Sequence, residues 1–317
     1  MTSTAQSSPH SSPATTHGST KASNWIERIP AGTIYRLIAR VLQAMPPSLG
    51  YRLFAFVADL IFYGIWRQRR KNVIENMRHV LGPTAKAREV EQTARRSVQN
   101  YARYLFEFLR FPAIPIESMF RAIEFDNWEF FGDPKQWECG WVICTLHMGN
   151  WDLAGVVANQ RGFSFHTVAD RFKPASLDEV IQGTRRHMGV LVVSTDVAAR
   201  SLMRALKNKE MVGILIDRPV KDGVQVQFFG ETVTIPEGAA RLALKTGARV
   251  LPTAMIRTPD NHFRLFFDES FAFTPSGDTT ADVQGLMQAI MSNLETIVRE
   301  YPDQWYMFRR MWPTETR

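Results

Sequence analysis

The stretch WVICTLHMGNWDLAG, residues 141–155, joins an apolar run to a short polar turn and then to a second, mostly apolar segment. The apolar run 141–146 has the length and composition of a buried strand. The turn HMGN follows at once, and residues 151–160 have the spacing of a helix. This stretch therefore predicts a strand, a tight turn and a helix, with polar side chains placed where the strand ends.

The same alternation of short apolar runs and helical patterns continues downstream. Further strands are predicted at 163–169, 189–194, 211–216, 248–256 and 263–267. Helices are predicted between them at 176–187, 197–207 and 237–246. Strands that alternate with helices in this way indicate an α/β fold whose core is a largely parallel sheet flanked by helices. Ligands of such sheets bind beyond the carboxyl ends of the strands.

His147 and Asp152 lie at the end of the first of these strands, with four residues between them. If Asn150 caps the following helix, His147 sits in the turn and Asp152 in the first helical turn, so the two side chains converge. A carboxylate bound to one ring nitrogen lets the other nitrogen remove a proton from an alcohol, and free amides at the helix start could hold an oxyanion or phosphate. The alternative is that Asp152 complements the helix dipole and His147 is an ordinary turn residue.

The N-terminal part of the chain differs in composition from the α/β region. Residues 1–23 are rich in Ser, Thr and Pro, which predicts a disordered tail. The segment LGYRLFAFVADLIFYGIW, residues 49–66, is apolar, but Arg52 and Asp59 lie seven apart and share one helical face. With the basic run RQRRKNV behind it, the segment indicates a helix lying in a membrane interface, where anionic headgroups would meet the basic residues. An amphipathic core helix with a basic end is the alternative.

A long helix is predicted over Lys86–Phe111, ending before Pro112. Its apolar residues lie three or four apart and predict a packing stripe. The stripe comprises Val90, Ala94, Val98, Tyr101, Leu105 and Phe108.

Composition narrows the possible functions. The 317 residues carry 38 basic and 31 acidic side chains, a net charge of +7 that favours polyanions such as anionic lipid, nucleic acid or a phosphorylated substrate. Cys139 and Cys144 are the two cysteines, too few for a disulfide framework or a four-cysteine metal site. The chain carries no G-x-S-x-G, H-E-x-x-H or G-x-x-x-x-G-K-[ST] motif, and no nucleic-acid-binding motif accompanies the charge. Neither a metal nor a nucleic-acid partner is expected.

Several ordered blocks resemble the bacterial lipid A biosynthesis acyltransferases and the related phosphatidylinositol mannoside acyltransferases. LHMGNWDLAG resembles the H-x4-D/E motif of the wider superfamily of glycerolipid acyltransferases. The other blocks are RRKNVIENMRHVLG, EFLRFP, ADRFKP, the long run from Val212 to Pro252, and YPDQWYMFRRMWP. Together they cover nearly everything from residue 35 to residue 312, and their order makes the resemblance specific.

The resemblance implies roles for individual residues. His147 is expected to be the general base and Asp152 its acidic partner, where many lipid A enzymes have Glu. The residues expected to bind substrate are Asn150, Arg171, Asp217, Arg218, Phe229 and Glu237. Alternatives stay open for several of them: a surface ion pair for Arg171 with Asp170, a structural salt link for Asp217 and Arg218, and core packing for Phe229.

The resemblance also implies an activity. We expect a membrane-associated O-acyltransferase that moves an acyl group from a thioester of acyl carrier protein or coenzyme A to a hydroxyl of a glycolipid, without a cofactor. A non-catalytic lipid-binding relative and a hydrolase are the alternatives. A monomer is expected at the cytoplasmic face of the bacterial inner membrane, as one glycerolipid acyltransferase-like domain over residues 24–317. Within it, residues 31–111 form a helical membrane-docking segment and residues 112–317 the catalytic core.

Overall fold

Nine β-strands and ten α-helices form the part of the chain that the computed structural model describes, residues 31–125 and 127–312. The helices are α1 (Ala31–Ala44), α2 (Pro47–Leu60), α3 (Arg67–Leu81), α4 (Ala87–Arg110), α5 (Ile116–Arg121), α6 (Leu153–Gln160), α7 (Ala175–His187), α8 (Ala198–Lys207), α9 (Gly238–Thr246) and α10 (Thr279–Glu300). The strands are β1 (Ile123–Glu124), β2 (Trp141–Thr145), β3 (Phe165–Ala169), β4 (Val190–Ser194), β5 (Met211–Leu215), β6 (Val224–Phe228), β7 (Glu231–Ile235), β8 (Arg249–Arg257) and β9 (Phe263–Phe267). The predicted tail, residues 1–23, lies outside the described residues.

Seven strands form one sheet in the order β1-β9-β8-β2-β5-β3-β4, and β6 and β7 form a separate antiparallel hairpin. Every neighbouring pair of the large sheet is parallel except β8 and β9. The predicted α/β core with a largely parallel sheet is therefore confirmed. β2 and β5 are neighbours, with Thr145 opposite Leu215, so the residues that follow these strands leave the sheet together.

Helices cover both faces of the sheet because successive residues of a buried parallel strand point to opposite sides. Val142 and Cys144 of β2 pack into a cluster with α9, α10 and the β6–β7 hairpin. Trp141 and Ile143 pack into a second cluster that includes α6 and the end of α4. Full burial raises the pKa of the Cys144 thiol to about 12, so this group stays protonated and serves packing.

The predicted helix over residues 86–111 is confirmed as α4, which contacts α1, α2, α3 and the segment 302–304. Four residues of the predicted stripe are buried, but Leu105 is 38% exposed, so that part of the prediction is wrong. Several elements enclose α4, and its buried surface is therefore wider than one stripe. It includes the polar residues Asn100 and Glu107.

Helix α2 lies against α4 through its small and polar residues. The ring of Phe106 occupies the space where a side chain at Gly50 would begin, which lets the two helices approach closely. Asp59 accepts hydrogen bonds from Arg95 at 2.6 and 2.7 Å and from Gln99 at 2.9 and 3.0 Å. The predicted polar face is therefore turned partly inward, toward α4.

Most of the large apolar residues of α1, α2 and residues 61–65 are exposed, whereas Ala39, Leu42 and Ala58 are buried. The exposed ones, which we call the apolar face, are Ile34, Leu37, Ile38, Val41, Leu49, Leu53, Phe56, Val57, Leu60, Tyr63 and Ile65. Within α2 they recur three or four residues apart, so they share one side of the helix. This arrangement is the reverse of a core helix, which would bury such residues.

α2 continues through a π-helical turn, Ile61–Ile65, and the combined helix Pro47–Ile65 is long and apolar enough to cross a membrane by length and composition. In the described part of the chain it is the one helix that meets this criterion.

Candidate active site

His147 and Asp217 meet where β2 and β5 end. Nδ1 of His147 lies 2.6 Å from Oδ1 of Asp217, and the His147 backbone amide donates to Oδ2 at 2.9 Å. The imidazole is 18% exposed, whereas Asp217 is completely buried. Because Nδ1 is held by the carboxylate, Nε2 is the ring nitrogen left to take a proton from a substrate.

The carboxylate of Asp217 is stabilised in its ionised form. Burial alone would raise its pKa, but the charge of His147, the two hydrogen bonds from His147 and one from Trp305 hold the pKa below its ordinary value. The Trp305 indole Nε1 donates to Oδ2 at 2.9 Å. Both carboxylate oxygens are therefore occupied, and His147 has a fixed ring orientation.

The C-terminal segment supports the turn 147–150, which we call the catalytic turn. The amide of Tyr306 donates to the His147 carbonyl at 2.8 Å, and the amide of Gly149 donates to the Gln304 carbonyl at 2.9 Å. Met148 forms a β-bridge with Trp305. The backbone around His147 is thus held from one side by a segment distant in sequence.

Gly149 is required by both conformation and space. Its φ is +57°, a left-handed value that favours glycine, and a Cβ there would lie 1.8 Å from the Met255 carbonyl oxygen. The amide of Asn150 donates to that same oxygen at 2.9 Å. Strand β8 therefore holds the catalytic turn from the other side.

Asp152 does not bind the Nδ1 of His147, contrary to the sequence-based prediction. It is buried, with Oδ2 accepting from the Tyr104 hydroxyl at 2.7 Å and Oδ1 accepting from Arg185 Nε at 2.9 Å. The reason is directional: Asp152 immediately precedes α6 and faces α4 and α7, whereas His147 faces the end of β5.

The start of α6 also differs from the prediction. Asn150 does not cap the helix; its side-chain Nδ2 donates to Glu107 Oε2 at 2.9 Å instead. The amides of Leu153 and Ala154 donate to the carbonyls of Asn150 and Trp151. Those two amides are therefore engaged within the turn and are not free for an oxyanion.

Arg171 and Arg218 lie beyond the carboxyl ends of β3 and β5, at the edge of the sheet where ligands were expected. Both are exposed. Arg218 lies 3.4 Å from Asp170, so the ion pair of Asp170 is with Arg218. Asp217 does not form the salt link with Arg218 that was considered, because its carboxylate binds His147 and Trp305. Substrate contact by the two arginines stays a prediction.

Phe229 and Glu237 lie in other parts of the fold. Phe229 is in the β6–β7 turn, where it contacts Phe228 at 4.7 Å and lies under Arg299, so its surroundings match the packing alternative. Glu237 precedes α9 and pairs with Arg241 at 2.5 Å, beside a polar cavity between α9, β6 and α10. The structure does not bring either residue to His147, and their substrate contacts stay predictions.

A mostly apolar cavity runs along one face of the sheet, from β9 across β8, β2 and β5 to β3 and β4. It is lined by Ile143, Thr145, Trp151, Asp152, Ala154, Phe165, Thr167, Val190, Gly213, Ile214, Leu215, Thr253, Met255 and Leu265. Trp151 joins it to His147, since the two rings lie 5.4 Å apart. Two buried donors beside this region, Trp151 Nε1 and Arg185 Nη1, have no hydrogen-bond partner among the described residues.

Glu124, Asp260 and His262 form the one group of three potential metal ligands that the described residues contain. All three are exposed, and His262 already pairs with Asp260 at 3.1 Å. Nothing else in the structure singles the group out, and we assign no metal to it.

Several residues of this site were not anticipated. Tyr104, Glu107, Arg185 and Trp305 come from segments far apart in the chain, and none of them was assigned to the site from the sequence. Asp217 was predicted to be a substrate contact. Its position directly after a predicted strand could also have identified it as a partner for His147. Because parallel strands end at one edge, any carboxylate there is a candidate partner for His147.

Known proteins resemble this chain over most of its length. The family model described as bacterial lipid A biosynthesis acyltransferase matches residues 23–314. The phosphatidylinositol mannoside acyltransferase of Mycolicibacterium smegmatis is 30% identical over 278 residues, which cover 86% of this chain and 88% of that protein. The protein of the same name from Mycobacterium tuberculosis strain H37Rv is 30% identical over 250 residues, 75% of each chain. This chain is therefore an acyltransferase that belongs to the bacterial lipid A biosynthesis acyltransferase family.

Proposed function

We propose that this protein transfers a fatty acyl group from a thioester to a hydroxyl of a membrane glycolipid, with His147 as general base and Asp217 as the residue that orients it. The 2.6 Å contact between His147 Nδ1 and Asp217 Oδ1 carries the proposal. A buried carboxylate at Nδ1 fixes the tautomer in which Nε2 accepts a proton, and it stabilises the imidazolium that forms. This pairing replaces the one with Asp152 that the sequence suggested.

The reaction balances without a cofactor or a covalent enzyme intermediate. Nε2 of His147 takes the proton of the acceptor hydroxyl while the oxygen attacks the thioester carbonyl, forming a tetrahedral oxyanion. Collapse of that species breaks the carbon–sulfur bond, and the thiolate leaves with the proton that His147 holds. The products are an ester on the glycolipid and the free thiol of the donor.

The unpartnered Trp151 Nε1 suits the oxyanion of this step. The Trp151 ring lies beside His147 and lines the cavity, and a well-placed donor to an oxyanion contributes roughly 3 to 4 kcal/mol to catalysis. The cavity along the sheet has a volume of about 40 Å³, which is too small for a whole acyl chain, and its apolar lining suits the first carbons next to the carbonyl.

The apolar face of α1 and α2 suits a bilayer surface. Exposed basic residues flank it, including Arg36, Arg40, Arg52, Arg67 and Arg69. Apolar residues that enter the interface and cations that meet anionic headgroups act together in peripheral membrane proteins. We propose docking at the cytoplasmic face of the inner membrane, where the glycolipid is available to His147.

The acceptor and the donor follow from the relatives and from charge. The two relatives carry the name phosphatidylinositol mannoside acyltransferase, which favours a mannoside-type acceptor over a lipid A precursor. The exposed Arg171 and Arg218 suit phosphates of the headgroup or of the donor. Acyl carrier protein and coenzyme A are both anionic, so both are donors to assay.

The test uses the purified full chain, vesicles containing a phosphatidylinositol mannoside or a lipid A precursor, and a labelled acyl thioester. We expect wild type to acylate the mannoside and His147→Ala to lose that transfer, while His262→Ala, at an exposed surface histidine, keeps it. Release of free fatty acid without acylated lipid would identify a hydrolase. Undiminished transfer by His147→Ala would exclude the proposed base.

A further inference from the structure

A buried carboxylate, Glu107 of α4, connects the lipid-facing helix α2 to the catalytic turn. Its two oxygens accept four hydrogen bonds. Oε1 accepts from the Tyr51 hydroxyl of α2 at 2.7 Å and from Arg257 Nη1, and Oε2 accepts from Asn150 Nδ2 at 2.9 Å and from Arg257 Nη2 at 2.7 Å. Each oxygen therefore has two donors, and moving one donor disturbs the others.

The connection to the catalytic turn has two branches. One runs directly from Glu107 to Asn150. The other runs through Arg257, whose backbone amide and carbonyl bind the Gln304 side chain at 2.8 and 2.7 Å. The Gln304 carbonyl in turn accepts from the Gly149 amide. Both branches end in the turn that carries His147.

Tyr51 is the only donor of this network that lies on the membrane-docking helices among the residues the structure describes. The Tyr51 ring packs edge-on against Phe106 of α4, with ring centres 5.6 Å apart. Leu53, two residues further along α2, belongs to the apolar face. Burial raises the pKa of the Tyr51 hydroxyl, which keeps it a donor to the carboxylate. A shift of α2 along α4 would therefore change the hydrogen bonding of Glu107, together with that of Asp59.

We propose that Glu107 is a positioning residue for the catalytic turn, and that Tyr51 makes its geometry depend on how α2 is seated on lipid. Membrane docking then raises the turnover of His147 in addition to bringing the enzyme to its acceptor. This inference rests on the proposed function, because it needs both the base and the docking surface. We assign the observed arrangement, in which each oxygen of Glu107 accepts two hydrogen bonds, to the docked enzyme.

Tyr51→Phe tests this with little disturbance, since it removes one hydroxyl and keeps the ring against Phe106. Tyr35→Phe is the matched control: it makes the same change on α1, at a half-buried tyrosine that is not part of the apolar face. The assay uses the full chain, a water-soluble short-chain phosphatidylinositol mannoside, a labelled acyl thioester, and vesicles of phosphatidylglycerol that carry no acceptor. Vesicle binding by sedimentation, kcat, the donor KM and Tm are measured for each protein.

We expect the vesicles to raise kcat of wild type and of Tyr35→Phe, and to leave kcat of Tyr51→Phe about threefold to tenfold lower, in proportion to the net contribution of a typical hydrogen bond. Vesicle binding and the donor KM should be the same for all three. In a double-mutant cycle with Asn150→Ala, the effect of Tyr51→Phe on kcat should become smaller, because one of the two branches from Glu107 is then lost while the branch through Arg257 and Gln304 remains.

Equal stimulation of Tyr51→Phe and wild type would overturn the inference, as would a Tyr51→Phe that loses only Tm, or a wild type that vesicles do not stimulate. Additive effects in the cycle would do the same. Failure of the proposed function looks different, because wild type would then transfer no acyl group under any of these conditions. In that case this inference falls with it.

Discussion

Replacing Asp217 with Asn changes one oxygen of the carboxylate into an amide nitrogen and keeps the shape of the side chain. Oδ2 accepts from two donors, the His147 amide and the Trp305 indole, whereas Oδ1 binds only the His147 ring. The amide oxygen of the variant should therefore take the Oδ2 position, because the other orientation would set an NH₂ group against two N–H donors. The NH₂ group then faces Nδ1 of His147.

That orientation selects the wrong tautomer. An NH₂ donor at Nδ1 requires Nδ1 to accept, which places the ring proton on Nε2 and removes the base. The comparable change in a serine protease triad lowers kcat about 10⁴-fold. We expect a fall of about 10³- to 10⁴-fold here, equal to about 4 to 5.5 kcal/mol at 1.36 kcal/mol per tenfold.

The assay is single-turnover acyl transfer to a vesicle-borne mannoside, with circular dichroism and Tm as checks on folding. The donor KM should change little, because Asp217 is buried beneath His147 and is not open to the donor. A folded Asp217→Asn protein with more than a tenth of wild-type kcat would refute the assigned role. Loss of kcat in a folded Asp152→Asn protein with normal Asp217→Asn activity would restore the pairing that the sequence suggested.

Three further predictions use other parts of the structure. Asp152→Asn should lower stability by about 3 to 5 kcal/mol, because Arg185 would lose its buried partner, and urea unfolding measures this. The pKa of Asp217 is lower in the folded state than its unfolded value of about 3.9, so ionised Asp217 contributes stability above that pH. This contribution is lost as the pH falls through the folded pKa. The difference in unfolding free energy between wild type and Asp217→Asn should therefore narrow below about pH 4, which urea titrations at several pH values measure. Phe56→Glu, on the apolar face, should weaken sedimentation with anionic vesicles. It should leave Tm within about 1 °C of wild type, because the Phe56 side chain is 60% exposed and its loss removes little packing. Unchanged sedimentation would show that another surface docks.

Much of the fold could be predicted because its signals are local. The strands around Ile143, Phe165 and Val212 are short apolar runs between helical patterns, and each was found within two residues of its observed bounds. The β6–β7 hairpin and α10 were not predicted. The hairpin alternates buried and exposed residues, and it packs its buried side on α10 and Trp312, a pairing that no single segment reveals.

The apolar face shows how one pattern can be read in two ways. Periodicity established that residues 49–66 form an amphipathic helix, but an apolar stripe by itself suits either a core or a membrane. The structure shows that this stripe does not face the core, because Gly50 and Asp59 face α4 and Ala58 is buried, while Phe56 and Leu60 are exposed. Only the packing against α4 shows which side of the helix is covered.

The alternation of strands and helices in the sheet core, the position of His147 at a strand end, and the family all follow from the amino-acid sequence, because each depends on spacing within a segment or on blocks of residues in order. The partner of His147 does not. Asp217 is 70 residues away along the chain and reaches Nδ1 because β5 lies beside β2, while the nearer Asp152 turns toward Tyr104 and Arg185. Hydrogen bonds of a few ångströms depend on which strands are neighbours and which way each side chain points, and these are properties of the folded chain.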